Sequence, residues 1–468
     1  MKEEPKGLFG GEQLKFRSLP PKECAETPHR AKDLSLLGIN AKVKPQGKPA
    51  ELIRVLDEAL KESRSLPLYL DLCAKCGSCT DACHWYLGTK DINNIPTKRV
   101  DLLRKMYKRH FTAGGKLFPE FTGAADITSD TIDLLFKYFH QCNECRRCAY
   151  YCPFGIDTAE VAIAVRQMLT KLGVVSRAIL TVAENMHRYG NNMGIPPKAM
   201  KDTCIFMEEE LKEKRGIHIP IPVDQEGAEV LHCPSSSEFF VTLDTLEGTA
   251  TMFYAAGTSW TLSSRMIETA NFGLFFDYNS MKEHNNLLIS EARRLKVKRI
   301  VAGECGHGWR TWKMFTSQLS QAADIPIVHL IDECLRYMKE KRIRLDRSAT
   351  PGPVTLQDPC NMARACGYIE QPREILRAVV GEFREMYPHG AKNFCCTGGS
   401  GQVAMDEFTE MKAKAGMVKA QQIKATGAGM VVAPCAICKA AIPGVLENYK
   451  LDVKSHGLQD LVGFAIVL

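Results

Sequence analysis

The stretch Cys142-Asn-Glu-Cys145-Arg-Arg-Cys148-Ala-Tyr-Tyr-Cys152-Pro153 decides how the first half of this chain is to be read. Its Cys-x2-Cys-x2-Cys-x3-Cys spacing wraps three thiolates around one [4Fe–4S] cube and sends the fourth to a second cube, as in proteins that carry two clusters. The same spacing occurs once before, at Cys73, Cys76, Cys79 and Cys83. On that pattern Cys73, Cys76, Cys79 and Cys152 hold one cluster, and Cys142, Cys145, Cys148 and Cys83 hold the other. Pro153 stands behind the second run as such loops expect, whereas His84 takes that place behind the first. Zinc is the competing use of close-set cysteines, but the doubled pattern is specific for iron–sulfur. Two linked cubes pass single electrons, so this region reads as a wire.

Working outward, 13 of the 19 cysteines fall into three sets, the third being Cys360, the vicinal pair Cys395-Cys396, and Cys435 with Cys438. Cys435-Ala-Ile-Cys438 follows a strand and Pro434 and is expected to open a helix, where backbone N–H groups and the helix dipole favour thiolate. Taken alone, that pair fits a thioredoxin-like couple or half a zinc site equally well. The vicinal pair is different. Adjacent Cα atoms are only about 3.8 Å apart, which suits two corners of one ordinary cube poorly and a distorted assembly with a bridging sulfur better. Gly398 and Gly399 follow, and their backbone can approach a cluster closely and donate N–H to its sulfurs. A phosphate nest is the rival use of such a loop, but no full dinucleotide fingerprint follows a strand here.

The 468 residues suffice for two or three domains, and 45% apolar with 25% charged residues describes an ordinary globular composition. The start, Met1-Lys-Glu-Glu-Pro5, lacks the apolar stretch of a signal peptide, and the richest apolar run, 429–445, is broken by Pro434, Lys439 and Pro443. A cytoplasmic location is expected, where thiols stay reduced and cysteine clusters hold metal. The net charge of +7 comes without the basic stripes of a nucleic-acid binder. It fits a solvated surface, or attraction to an acidic partner or an anionic membrane.

Residues 1–50 are expected to form an extended arm. A helical, ferredoxin-like two-cluster domain is expected over 51–190, with helices over 51–72, Thr97–Arg109, Asp130–Phe139 and Thr158–Leu172, the last capped by Asp157. Residues 191–227 read as a linker with a short helix. From 228 onward short strands alternate with amphipathic helices, predicting two tandem α/β repeats, 228–348 and 349–468, of which the second alone keeps its cysteine set. Arg299-Ile-Val-Ala-Gly-Glu-Cys305 parallels Met430-Val-Val-Ala-Pro-Cys435, and Thr251–Gly257 is matched to Val354–Cys360. Cys305 thereby takes the place of Cys435, aimed at a shared cleft, where it would bind iron or attack a substrate sulfur with His307 as proton donor. The competing reading is a leftover thiol beside a capping histidine. Cys233 is expected as a buried structural thiol, Cys24, Cys204, Cys334 and Cys366 as apolar fillers, and residues 461–468 as a packed chain end.

Asp358-Pro-Cys360, Pro372-Arg-Glu-Ile-Leu376, Cys395-Cys396 and Ala433-Pro-Cys435-Ala-Ile-Cys438 resemble the cysteine-rich CCG domain. That domain occurs in heterodisulfide reductases and in iron–sulfur subunits of glycerol-3-phosphate, glycolate and lactate dehydrogenases. With the two-cluster domain ahead of it, the resemblance covers residues 51–468. One complete cysteine set behind a stripped repeat is similar to the DsrK family, subunits of the membrane complex linked to dissimilatory sulfite reductase. The resemblance implies a noncubane [4Fe–4S] cluster at Cys360, Cys395, Cys396, Cys435 and Cys438, placed at the end of the wire. It implies reduction, or reversible oxidation, of a disulfide or trisulfide on the small sulfur carrier DsrC. It also implies a quinone-linked haem b membrane subunit that holds this chain at the inner face of the membrane. Two other expectations compete: an electron-relay subunit for a flavin-dependent 2-hydroxyacid or glycerol-3-phosphate dehydrogenase, and a zinc-binding assembly module. One departure stands out, because the family's glycine after the vicinal cysteines is Thr397 here.

Overall fold

The computed structural model describes residues 49–269, 271–319 and 325–468, so the expected arm lies outside the described residues save for its last two positions, and Cys24 lies outside with it. Helices carry everything from there to Arg215. The helix expected over 51–72 is two, Pro49–Glu62 and Ser65–Leu72, because the Ser63 hydroxyl accepts from Leu66 N and restarts the chain. Pro96–Phe111 and Thr131–His140 follow the expected positions, and Thr158–Lys171 begins where the Asp157 carboxylate accepts from Ala159 N at 2.9 Å. Val161, Val165, Met168 and Leu169 of this last helix pack with Leu52, Val55, Leu103 and Phe139 in one apolar core.

The expected linker is not one. Pro197–Arg215 is a 19-residue helix whose Met200, Cys204, Met207 and Leu211 are buried in the core of the first α/β repeat. Its Lys- and Glu-rich outer face hid that inner stripe.

Two four-stranded parallel sheets follow. The first contains β1 (Val230–Cys233), β2 (Trp260–Thr261), β3 (Arg299–Ala302) and β4 (Ile327–His329), in the order β2-β1-β3-β4. The second contains β5 (Pro353–Leu356), β6 (Glu382–Arg384), β7 (Met430–Val432) and β8 (Lys454–His456), in the equivalent order β6-β5-β7-β8. Strand β3 therefore corresponds to β7, as expected, and Cys305 and Cys435 each lie three residues beyond the strand end. The other match was wrong. Thr251–Gly257 belongs to the end of the helix Leu243–Ala255 and the turn after it, and the true counterpart of β5 is β1. A helix buried over Thr245–Phe253 lacks a polar face, and its Thr and Phe residues imitate a strand.

One apolar cluster runs through both repeats, joining Val230, Leu231, Ile300 and Val301 to Val354, Leu356, Ile375, Val432 and Leu461. The chain end completes it: helix Leu458–Ala465 crosses helix Leu243–Ala255, with Gly463 against Gly248. Each sheet reverses its strand order between its two inner strands, at β1/β3 and β5/β7, where open parallel sheets bind ligands beyond the strand ends.

Two histidines in the first repeat carry a pH signature. His232 and His329 are fully buried against Gly303; His232 Nδ1–H donates to Val301 O (3.2 Å), and His329 Nδ1 accepts from Ile331 N (3.1 Å). Burial, reinforced at His329 by His232, brings both pKa values down to about 3. The unfolded chain takes up these protons near the ordinary value of 6.5, where the folded chain refuses them. Their contribution to stability is therefore complete above about pH 6.5 and is lost as pH falls toward about 3, at up to about 1.4 kcal/mol per pH unit for each imidazole. His232→Phe is expected to flatten the fall of the urea midpoint below pH 6.5; an unchanged slope would place the acid lability elsewhere.

Candidate metal centre and its wiring

The second cysteine run folds as a tight loop ahead of a helical turn, Arg147–Tyr150, with Glu144 and Arg146 both at positive φ. Cys83, Cys142, Cys145 and Cys148 line one cavity, together with His84, Trp85, Arg99, Asn143, Arg146 and Thr158. The fourth cysteine of the first run thus stands with the first three of the second. The other set is more open. Cys73 and Cys79 are half-buried beside Thr97, and Cys76 is exposed. Cys152 is half-buried in a turn closed by Gly155 N to Cys152 O (3.2 Å), and Pro153 is exposed within that turn. The Tyr69 hydroxyl lies against the backbone of Asp157, so the helix leading into Cys73 runs beside the loop that follows Cys152.

The third set converges at the second sheet's switch point. Cys360 opens a π-helical turn, Asn361–Ala365, just beyond β5; Cys435 stands before helix Ala436–Asn448, which carries Cys438 on its first turn. Asp358 and Arg373, both within the segments that carry the resemblance, are bound to each other. The Arg373 guanidinium grips the carboxylate with two bonds (2.8 and 2.9 Å), and Gly390 N donates to it as well. This buried clamp holds the segment that presents Cys360. The sulfurs of Cys395 and Cys360 are in contact, as are those of Cys396 and Cys438, and of Cys438 and Cys435. All five residues are buried. Thr397 N donates to Cys395 Sγ (3.4 Å) and the Gly398 N–H to Cys396, so this loop directs backbone donors at the vicinal sulfurs. Gly399 has another reason to be small, since a Cβ there would stand 2.9 Å from Asn143 O.

Charge within this set alternates. The neighbouring Cys395 and Cys438 thiols hold Cys396 well below the usual thiol value, and Cys438 also lowers Cys435. Cys395 also lowers Cys145 of the second run, aided by His84 and Arg364. A compact group of five buried, soft sulfurs fits an iron–sulfur cluster well. The contact between Cys145 and Cys395 was not anticipated: the wire's buried end touches the vicinal pair directly.

Cys305 and His307 do reach the site. Gly306 N donates to Cys435 Sγ (3.4 Å), and the Cys305 thiol, pushed up by burial and then by Cys435, caps the helix Gly306–Leu319 through Gly308 N (3.4 Å). His307 Nε2 accepts from Ser400 N (3.3 Å), which leaves its Nδ1–H without a protein partner. Burial and then Arg310 lower its pKa to about 3, so the expected acid is a neutral hydrogen-bond donor at ordinary pH. Cys233, Cys204, Cys334 and Cys366 are buried thiols pushed up by burial, as expected of fillers.

Other groups at the site escaped the sequence reading. Lys419 is buried near Cys396, its pKa brought down to about 7 by burial, and donates to Asn393 (2.8 Å) and Gln422 (2.5 Å). Asn143 and Arg166 tie the helical domain to the loop 397–401 from the other side. The departure at Thr397 has a cost, because its φ of +79° lies where a β-branched residue is strained by about 1–3 kcal/mol. Thr397→Gly is expected to raise the unfolding free energy, measured anaerobically, by about 1 kcal/mol, part of the relief being offset by glycine's looser unfolded state. A lower midpoint would show that the side chain's packing outweighs the strain.

A helical wire leading into a duplicated α/β unit with one cysteine-rich site defines an iron–sulfur oxidoreductase subunit. Residues 69–156 match the 4Fe-4S dicluster domain, and residues 354–443 match the cysteine-rich CCG domain. The chain is 32% identical over 461 residues to the Hdr-like menaquinol oxidoreductase iron-sulfur subunit 2 of Archaeoglobus fulgidus, covering 89% of this chain and 83% of that one. It is 32% identical over 458 residues to the Hdr-like menaquinol oxidoreductase iron-sulfur subunit of Archaeoglobus profundus, covering 88% and 82%. It is 22% identical over 409 residues to one subunit of the dihydromethanophenazine:CoB--CoM heterodisulfide reductase of Methanosarcina mazei, covering 85% and 94%. The chain belongs to the family of Hdr-like menaquinol oxidoreductase iron–sulfur subunits. No described helix is long and apolar enough to cross a membrane.

Proposed function

We propose that this chain is the catalytic, DsrK-type subunit of a quinone-linked membrane complex, and that it reduces, or reversibly oxidises, a disulfide or trisulfide on a small sulfur carrier such as DsrC. A haem b membrane subunit would exchange electrons with it. The observation that carries this reading is the contact of Cys145 with Cys395, which brings the buried end of an electron wire against a five-cysteine site. Cys73, Cys76, Cys79 and Cys152 are assigned to the outer cubane cluster, and Cys83, Cys142, Cys145 and Cys148 to the inner one. Cys360, Cys395, Cys396, Cys435 and Cys438 are assigned to a noncubane cluster. When bound, these clusters supply single electrons and, at the last, an iron able to take a sulfur ligand.

Reducing a disulfide to two thiols takes two electrons and two protons. The protons come from solvent, and the chain's own groups stabilise the charge that gathers on sulfur before they arrive. Thr397 and Gly398 direct N–H groups at the vicinal sulfurs, Cys305 stands beside Cys435, and the His307 Nδ1–H is available as a donor. Lys419 offsets the negative charge gathered around Cys396.

The test is to purify the chain anaerobically and count iron and acid-labile sulfide, wild type beside the double variant Cys395→Ala/Cys396→Ala. About twelve irons falling to about eight is expected, one four-iron cluster being lost. About eight in both would mean that the C-terminal set holds no iron. The relay reading has one observation in its favour, a 21% identity over 418 residues to the EtfAB:quinone oxidoreductase of Syntrophomonas wolfei. A flavoprotein co-purifying with the chain, together with unchanged iron in the double variant, would favour it.

A further inference from the structure

A buried guanidinium is costly unless an anion meets it. Arg104 meets Asp101, Arg166 meets Glu144, Arg310 meets Glu160, and Arg373 meets Asp358 and Glu385. Arg99 breaks that pattern. It is 3% exposed, and its Nη2 donates only to neutral oxygens, Asn94 Oδ1 (2.8 Å) and Asn94 O (3.4 Å). Its Nε is buried and meets no protein acceptor. Among the described residues no carboxylate pairs with it, and its guanidinium is set among sulfurs instead, hydrogen-bonded to Cys83 with Cys142 and Cys148 close by. Arg99 lines the cavity that those cysteines share with Cys145.

We infer that Arg99 is the built-in counter-ion of the inner cubane cluster, donating its Nε–H to a cluster sulfur and making that cluster easier to reduce than the outer one. This rests on the assignment of Cys83, Cys142, Cys145 and Cys148 to one cluster. Cluster potentials follow net charge, hydrogen bonds to sulfur and solvent exposure. Burial by itself opposes reduction, because the reduced form carries more negative charge into a medium of low dielectric constant. A fixed cation without a carboxylate partner acts in the opposite sense, and its pull grows at close range inside the protein. Arg146 adds a second donor, its Nη1 being buried without a partner in the same cavity, although Asp157 and Glu160 offset its charge. At the outer set the motif's own cation, Lys75, is exposed and tied to Asp101, and Cys76 faces solvent. Electrons therefore run downhill from the exposed set to the buried one, whose Cys145 touches Cys395.

Arg99 is a positioning residue in this scheme, and potential is its readout. The experiment is an anaerobic redox titration of the purified full chain followed by EPR, wild type beside Arg99→Gln and Arg99→Lys. In Arg99→Gln one cubane signal is expected to shift its oxidised–reduced equilibrium at least tenfold toward oxidised, about 59 mV for one electron, while the other stays put. Arg99→Lys, which keeps the charge, is expected to recover part of the shift. Two unmoved potentials at full iron content would overturn the inference. Where Arg99→Gln loses the cluster, the wild type decides. Pulsed EPR on chain grown with heavy-nitrogen arginine, wild type beside Arg146→Lys, must show an arginine nitrogen coupled to one reduced signal that survives in Arg146→Lys, and its absence there would overturn the inference equally. If Cys142→Ala removes neither cubane signal, the ligand assignment fails instead.

Discussion

Replacing Asn143 by leucine is expected to destabilise the chain by several kcal/mol and to break electron flow between the wire and the vicinal cysteines. Asn143 is 2% exposed and uses both ends of its amide. Its Nδ2 donates to Thr397 O (2.7 Å) and Gly399 O (2.9 Å), and its Oδ1 accepts from His84 Nε2 (2.8 Å) and from the Trp85 indole. Leucine has similar volume but removes all four bonds; Gly399 O keeps Gln402 N (3.2 Å), whereas the buried Thr397 carbonyl, His84 Nε2 and Trp85 indole lose the partner shown, each at about 1–3 kcal/mol; relaxation of the loop offsets part of that sum. The effect is not confined to stability. Asn143 sits between Cys142 and Glu144, and the loop it holds carries the vicinal pair at its start. Losing it removes the clamp that keeps Cys145 against Cys395. The check has two parts: the anaerobic urea midpoint, and the rate at which dithionite-reduced cubane signals reoxidise on adding a disulfide substrate. A midpoint within about 1 kcal/mol of wild type, with unchanged reoxidation, would show that Cys145 and Cys395 are held together by other means.

What could be read in advance, and what could not, follows from the distance over which each pattern acts. The cluster motifs announce themselves because three sulfurs of each cube must be delivered from one short loop, and their spacing survives in the chain as a local repeat. Cys305 was legible for a related reason: β3 and β7 end alike, and a strand end fixes where the next residue points. The contact of Cys145 with Cys395 is a meeting of segments 250 positions apart, and no local spacing encodes it. Arg99, Lys419 and Asn143 are hidden for the same reason. In sequence they are an arginine and a lysine on helices and one residue of a cysteine loop; only the packed structure deprives them of water. The errors at 191–227 and 251–257 are errors of amphipathicity. A helix with a charged outer face passed for a linker, and a helix buried nearly all round passed for a strand.

The second large effect is expected from the chain end rather than from the metal centre. At Gly463 a Cβ would stand 2.5 Å from Gly248 Cα, and one at Gly248 would run into the Gln459 carbonyl. Both obstacles are backbone, so no side chain can swing aside, and the helices Leu243–Ala255 and Leu458–Ala465 must part. Gly463→Val is therefore expected to cost more than about 3 kcal/mol, at or beyond the upper end of ordinary over-packing. The consequence reaches the cysteines through polar contacts that depend on this crossing. Gln459 N donates to Glu304 Oε1 (2.7 Å), and Thr245 Oγ1 donates to Asp460 (2.6 Å) while accepting from Lys439 Nζ (2.6 Å). Glu304 precedes Cys305, its carbonyl accepts from Ala436 N (2.5 Å), and Lys439 follows Cys438. Parting the helices thus loosens both strand-end cysteines at once, from opposite repeats. The expected result is a lowered unfolding midpoint together with a change in the third cluster's EPR signal, the two cubane signals being retained. Phe464→Ala, a change at a half-exposed neighbour on the same helix, is expected to do little of either. A Gly463→Val chain with an intact third signal and a wild-type midpoint would mean that the repeats hold their shared site without the helix crossing.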